Sequence, residues 1–179
     1  MLSNTWIQTY TGIKFDLLNP RVEDVNIDDI AHALSLSCRF GGHCKSFYSV
    51  AEHSVRVSRH LRGRNRIYGL LHDAAEAYIG DMVRPLKHSG QTGDFADVEN
   101  RILLAVFEFS RIELPLPEAV KCCDNIMLST EARDLMGNPP EPWPNLPEPF
   151  DEEIFPWDSR TAEEMFLQTF DDIQTRIDE

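Results

Sequence analysis

The sequence LLHDAAEAYIGD at residues 70–81 places a histidine and an aspartate side by side in an otherwise apolar stretch. Its small and apolar residues predict a buried helix that ends before Gly80. His72 and Asp73 carry a desolvation cost inside such a helix unless another group pairs with them. A divalent metal ion would pair with both side chains, and Glu76 shares their face one helical turn later.

Two further candidate metal ligands lie in other predicted helices. His53 is in the middle of the helix expected from about Ser49 to Leu61, and Asp124 lies among apolar residues after Pro117. Two histidines and two aspartates suit a five- or six-coordinate site completed by water. This set favours Mn²⁺, Co²⁺, Fe²⁺ or Zn²⁺, and its ligand types exclude a site made only of sulfur atoms.

Around these ligands the sequence predicts an all-α single domain with a small N-terminal β-hairpin. Alternating apolar residues on either side of Gly12 predict the hairpin over residues 5–15. Asp28 or Asp29 is expected to cap the first helix, which ends before Gly41. From the apolar spacing and the glycine and proline boundaries, the later helices are expected at about 49–61, 65–79, 94–107, 117–137 and 159–177.

A proline-rich segment separates the last two of these helices. Six of the eleven prolines lie between Pro139 and Pro149, so this stretch is expected to be an extended arm packed on the body of the domain. We therefore divide the single domain of residues 1–179 into a core at about 25–137, an arm at 138–158 and a C-terminal helix at 159–177.

Composition and charge exclude several classes of protein. The 179 residues carry a net charge of −13, which argues against binding nucleic acid through a general field of positive charge. The four cysteines include no C-x-x-C pair, so reduced, packed thiols are expected. The sequence has no signal-peptide pattern and no apolar stretch of about 20 residues. We expect a cytoplasmic protein without a membrane partner.

Several motifs, taken in order, resemble those of the HD-domain metal-dependent phosphohydrolases, 5′-deoxynucleotidase branch. They are SVAEHS at 49–54, LLHDAAEAYIGDMVRPLK at 70–87 and VKCCD at 120–124. The opening from 29 to 54 resembles the small bacterial and prophage HD phosphohydrolases of the YfdR type, and the phage dATP triphosphohydrolases are similar in size and layout. The resemblance covers about 10–135 and implies a single HD-domain helical bundle. It gives the arm and the last helix no role.

The resemblance also implies roles for individual residues. His53, His72, Asp73 and Asp124 match the metal ligands. Glu76 matches the carboxylate that transfers the proton of the attacking water or the leaving oxygen, and Asp81 matches an acid that contacts the sugar or assists that step.

Substrate contacts are implied for five more positions. Arg39 and Phe40 match an Arg–aromatic pair that holds phosphate and stacks on the nucleotide, although the aromatic residue in related enzymes is often tryptophan. Pro85 is expected beside the sugar and base. Lys87 is either a phosphate ligand or a solvated lysine, and His43 is either a loop histidine or a substrate contact.

The implied function is hydrolysis of deoxyribonucleoside 5′-phosphates at the α-phosphorus, with dATP or dAMP favoured. The products are a deoxynucleoside and either phosphate or triphosphate, and the sequence leaves this choice open. Mg²⁺ is a candidate companion of the substrate phosphates, and a homo-oligomer, dimer or hexamer, is expected. Two alternatives stay open: an HD phosphodiesterase acting on a cyclic or signalling nucleotide, and a non-catalytic nucleotide-binding HD module.

Overall fold

The computed structural model describes residues 5–87 and 89–178, which form one β-hairpin, eight α-helices and two short 3-10 helices, Val22–Asp24 and Arg39–Gly42. Strands β1 (Trp6–Gln8) and β2 (Lys14–Asp16) are antiparallel, with Ile7 opposite Phe15. The prediction of an all-α fold with an N-terminal hairpin is therefore confirmed. The helices are α1 (Ile27–Leu36), α2 (Val50–His60), α3 (Asn65–Leu71), α4 (Glu76–Ile79), α5 (Arg84–Lys87), α6 (Phe95–Phe109), α7 (Glu118–Leu135) and α8 (Ser159–Asp178).

Helix α2 occupies the centre of the domain. Helices α1, α3, α7 and α8 all pack against it, and every residue from Val50 to Ser58 is buried. The side chain of Ser49 caps this helix by accepting a hydrogen bond from the Glu52 backbone N–H. Because the helix is surrounded, its polar residues Glu52 and His53 are fully buried and need partners on neighbouring elements. None of the described helices is both long enough and apolar enough to cross a membrane.

The first helix begins differently from the prediction. Asn26, and not Asp28 or Asp29, caps α1, and its side chain accepts a hydrogen bond from the Asp28 backbone N–H at 2.8 Å. The buried Asp29 instead accepts bonds from the backbone N–H and the hydroxyl of Thr11, at 2.6 and 2.9 Å. Its carboxylate therefore fixes the hairpin turn onto α1, a long-range role that helix-capping rules do not predict.

The predicted helix over 65–79 is interrupted where the histidine and aspartate occur. Helix α3 ends at Leu71, and the next residues form i→i+3 hydrogen bonds from Ala74 N to Leu71 O and from Glu76 N to Asp73 O, both 3.0 Å. Such tightened turns align side chains three residues apart. The prediction of one continuous helix was wrong here, and the tighter turn brings Glu76 into line with Asp73.

The arm crosses the domain without helix or strand and is held by hydrogen bonds to α7 and α2. Phe150 N donates to the hydroxyl of Thr130 at 2.9 Å, and Ile154 N donates to the Asp134 carboxylate at 2.9 Å. Trp157 N donates to Glu52 Oε2 at 2.8 Å. The arm is therefore fastened to the central helix just before α8 begins.

This fastening predicts a specific loss of stability in Glu52→Ala. The Glu52 carboxylate also accepts bonds from Nε and Nη2 of Arg56, at 2.9 and 2.8 Å, so its removal leaves a largely buried guanidinium with only the carboxylate of Glu152, 3.9 Å from Nη1. We expect the free energy of unfolding, measured by urea denaturation, to fall by about 3 kcal/mol. Arg160→Ala, which breaks an exposed pair with Glu164, is the control and should change nothing measurable. Equal losses in the two variants would contradict this role of Glu52.

Candidate metal centre

Three side chains from two other parts of the chain lie close to His53 of α2. Nε2 of His53 lies 3.2 Å from Nε2 of His72 and 3.2 Å from Oδ1 of Asp124. Oδ2 of Asp73 lies 3.3 Å from Nε2 of His72 and 3.7 Å from Nε2 of His53. Ligands about 2.1 Å from one ion are about 3.0 to 4.2 Å apart. The structure therefore brings His53, His72 and Asp73 to separations that fit a single ion, and it places Asp124 beside both imidazoles, with Oδ1 3.2 Å from Nε2 of His53 and 3.9 Å from Nε2 of His72.

In each of the two imidazoles, the hydrogen bond made by Nδ1 determines whether Nε2 is free to bind a cation. Nδ1 of His72 donates to the carbonyl oxygen of Gly69 at 2.8 Å, and Nδ1 of His53 donates to Oε1 of Glu131 at 2.6 Å. Both acceptors lack hydrogen atoms, so each Nδ1 keeps its proton, and each ring has an unprotonated Nε2 whenever it is neutral. The two imidazoles and the Asp73 carboxylate, with Asp124 beside the imidazoles, form a donor set for a divalent cation.

Charge at this point is balanced through His53. Burial and the nearby Arg39 would lower the pKa of His53, but Glu131 and Asp124 raise it to about 9. Burial would raise the pKa of Asp124, but its hydrogen bond to His53 and the neighbouring charges hold that pKa far below its usual range. The carboxylates of Asp124 and Glu131 therefore stabilise a positive charge at His53, which either a proton or a metal ion supplies.

Glu131 is a central residue that sequence reasoning missed. It is fully buried in α7, where it accepts bonds from His53 and from Nη2 of Arg39, the latter at 3.1 Å. Burial alone would raise its pKa, but Arg39 and His53 hold it below the usual value. A signal was present, because Glu131 follows Asp124 by seven residues and lies on the same face two turns later.

Arg84 was also missed, and it contacts the remaining oxygen of a predicted ligand. Its Nη2 donates to Oδ2 of Asp124 at 2.7 Å, and its Nη1 donates to Oδ1 of Asn125 at 2.8 Å. Arg84 begins the short helix α5, which follows the loop after Gly80. Each oxygen of Asp124 therefore has its own partner, one in the ligand cluster and one at the protein surface.

Arg39 lies at the predicted site, largely buried between two carboxylates. Its Nη2 contacts Glu131, its Nη1 lies 3.5 Å from Oδ2 of Asp73, and its Nε has no acceptor among the described residues. The guanidinium lies over the ring of Phe40, whose positive φ of 58° turns the backbone sharply. The ring of Trp143 from the arm approaches Phe40 to 6.1 Å between centroids. Phosphate binding by Arg39 and stacking by Phe40 stay predictions.

The two predicted catalytic acids are close enough to Asp73 to respond to its charge. Glu76 is buried, and its Oε2 has no hydrogen-bond partner among the described residues. Burial and the carboxylates of Asp73 and Asp81 raise its pKa to about 10. Burial also raises the pKa of Asp81. Glu76 therefore holds a proton in a setting where the ligand carboxylates are ionised.

The other predicted substrate contacts lie further out. Lys87 pairs with Oε1 of Glu99 at 2.6 Å, while Pro85 is exposed on the short helix α5. His43 is exposed at the end of the turn that begins at Arg39. Among the described residues, no hydrogen bond or ion pair joins these three to a predicted ligand. Their roles stay predictions.

Comparison with known proteins finds relatives along most of the chain. No family model matches. The chain is 34% identical over 172 residues to the uncharacterized protein YfdR of Escherichia coli strain K12, covering 94% of this chain and 96% of that protein. It is 32% identical over 149 residues to an uncharacterized protein of Rhodobacter capsulatus, with 76% of each covered.

The buried bond between His53 and Glu131 predicts a loss of metal affinity in Glu131→Gln. The amide can still accept from Nδ1 but carries no charge, so His53 becomes a weaker donor to an ion. We expect the dissociation constant for Mn²⁺, measured by calorimetry, to rise about 10- to 100-fold. Glu163→Gln is the matched control, because Glu163 pairs with Nδ1 of His32 away from the cluster. Unchanged affinity in Glu131→Gln would contradict its role.

Proposed function

The chain belongs to the same protein family as YfdR of Escherichia coli, and we propose that it hydrolyses deoxyribonucleoside 5′-phosphates with a divalent metal ion as cofactor. His53, His72, Asp73 and Asp124 would hold the ion. The observation that carries this proposal is the convergence of both Nε2 atoms and two carboxylates, with each Nδ1 bonded to a buried or backbone acceptor. When bound, such an ion makes water more acidic and polarises a phosphoryl oxygen.

Positive side chains next to the cluster support an anionic substrate. The whole chain has a net charge of −13 and would repel phosphates, yet Arg39 and Arg84 each contact a predicted ligand. Arg39 also keeps a buried Nε–H without an acceptor among the described residues, and a phosphate oxygen can accept this bond. Lys87, one turn after Arg84, would add a third positive charge for a longer phosphate chain.

Glu76 is the residue proposed to move the proton. Water adds to the α-phosphorus, the bond from phosphorus to O5′ breaks, and O5′ must gain a proton. A carboxyl kept protonated by burial and by neighbouring carboxylates can donate it. The products are a deoxynucleoside and phosphate from a monophosphate, or a deoxynucleoside and triphosphate from a triphosphate.

The finer substrate preference rests on the sequence resemblance. Phe40, together with Trp143 of the arm, offers aromatic surface for a purine, and Asp81 can accept a bond from a 3′-hydroxyl. We propose a preference for adenine and for deoxyribose. A homo-oligomer, a cytoplasmic location and a supporting role for Mg²⁺ at the phosphates belong to the same proposal.

A product assay tests this function. The purified protein is given dATP, dAMP, dGTP, dCMP, ATP and a bis-nucleotide in turn, with Mn²⁺, Co²⁺, Mg²⁺ or Zn²⁺, and the products are separated by HPLC. We expect deoxynucleoside to be released fastest from dATP or dAMP. Cleavage of ATP at an equal rate would contradict the deoxyribose preference, and cleavage of the bis-nucleotide alone would favour a phosphodiesterase. Stable nucleotide binding without any turnover would favour a binding module.

The role of Glu76 predicts a separation of binding from turnover in Glu76→Gln. The amide cannot supply the proton, while the four ligands are untouched. We expect kcat to fall about 10²- to 10⁴-fold, with metal content and nucleotide affinity retained. Glu163→Gln again serves as the control and should keep full activity. An unchanged kcat in Glu76→Gln would remove this residue from the mechanism.

A further inference from the structure

Two cysteines flank the turn that carries Arg39 and Phe40. Sγ of Cys38 lies 3.7 Å from Sγ of Cys44, and Sγ of Cys44 also lies 3.6 Å from the carbonyl oxygen of Arg39. Both side chains are partly exposed, so a small oxidant can reach them. A disulfide has sulfur atoms about 2.05 Å apart, so the two sulfur atoms must come about 1.7 Å closer to form a bond.

The backbone holds the two ends of this turn in place. Cys38 forms a β-bridge with Ser49, and Lys45 N, next to Cys44, donates to the carbonyl of Leu135 at 2.8 Å. Between the cysteines the chain reverses through two glycines with positive φ, Gly41 and Gly42. The two thiols are therefore in contact because the chain turns back between them and its two ends are held by backbone hydrogen bonds.

We propose that Cys38 and Cys44 are an oxidative modification site, which hydrogen peroxide converts to an intramolecular disulfide. With peroxide, the Cys38 thiolate attacks one oxygen and becomes a sulfenic acid as water leaves. The sulfur of Cys44 then attacks the Cys38 sulfur, the S–O bond breaks, and a second water leaves with the Cys44 proton. Two thiols are oxidised by two electrons, and one peroxide is reduced to two waters.

The order of attack follows from the surroundings of Cys44. Burial, with the hydrogen bond to Cys38, raises the pKa of the Cys44 thiol to about 11, so it stays protonated at neutral pH. Thiolates are the reactive form, so the second attack is assigned to Cys44. Reversible disulfides of this kind in reducing compartments are characteristic of redox-sensing sites.

The disulfide would close a small ring around residues predicted to contact substrate. Arg39, Phe40 and His43 all lie between the two cysteines, and Arg39 directly follows Cys38. Closure would restrain the backbone next to the guanidinium that contacts Asp73 and Glu131. This link to substrate handling rests on the proposed function, whereas formation of the bond does not.

The test is mass spectrometry of the full chain at micromolar concentration, treated with hydrogen peroxide and then with N-ethylmaleimide. We expect a monomer about 2 Da lighter before alkylation, a peptide that joins Cys38 to Cys44, and full reversal by dithiothreitol. Cys38→Ser and Cys44→Ser should each abolish the mass loss. Cys122→Ser, which removes an exposed cysteine elsewhere, is the matched control and should keep it.

Three results would overturn the proposal. One is alkylation of both Cys38 and Cys44 in wild-type protein under conditions that oxidise Cys122. Another is a cross-linked peptide that pairs either cysteine with Cys122 or Cys123 instead. The third is a mass loss that persists in Cys44→Ser. The wild-type result needs no variant to fold and no activity, so it stands apart from any failure of the proposed hydrolysis.

Discussion

The hydrogen bond from Nδ1 of His53 to Glu131, at 2.6 Å, is the interaction on which the candidate centre depends. Both residues are fully buried, so neither charge nor ring nitrogen can be satisfied by water. Glu131 needs positive partners and finds them in His53 and Arg39. The same bond directs Nε2 of His53 towards the other ligands. The His53 imidazole thus stabilises the buried carboxylate of Glu131 through Nδ1 and offers Nε2 to an ion.

Helix α2 couples this centre to the rest of the fold. His53 points to the ligand cluster, while the adjacent Glu52 accepts bonds from Arg56 and from the backbone of Trp157 in the arm. Because neighbouring helix positions project about 100° apart, one helix serves two buried polar networks. A change in the register of α2 would disturb both the ligand geometry and the attachment of the arm. A central helix can bury Glu52, His53 and Arg56 because each of these three side chains has a charged or hydrogen-bonding partner.

Much of the fold could be predicted from local sequence, but the details of the candidate centre could not. Apolar alternation and glycine positions locate the hairpin and the helices, and the adjacent His72 and Asp73, with a distant histidine and aspartate, give the candidate ligands. The break of the helix after Leu71 was not foreseeable, because i→i+3 and i→i+4 hydrogen bonds place similar demands on the sequence. Glu131 and Arg84 were missed because their partners are far away in sequence, and a lone acidic or basic residue on a helix is usually a solvated one.

The central claim is that these residues form a metal site, and metal analysis of the purified chain tests it most directly. Wild-type protein is loaded with Mn²⁺, desalted and measured by plasma mass spectrometry, beside His72→Ala and Asp73→Ala. We expect about one ion per chain in the wild type and almost none in either variant, with the helical circular dichroism of all three unchanged. Full occupancy in both variants, or a folded wild type that retains no ion, would contradict it.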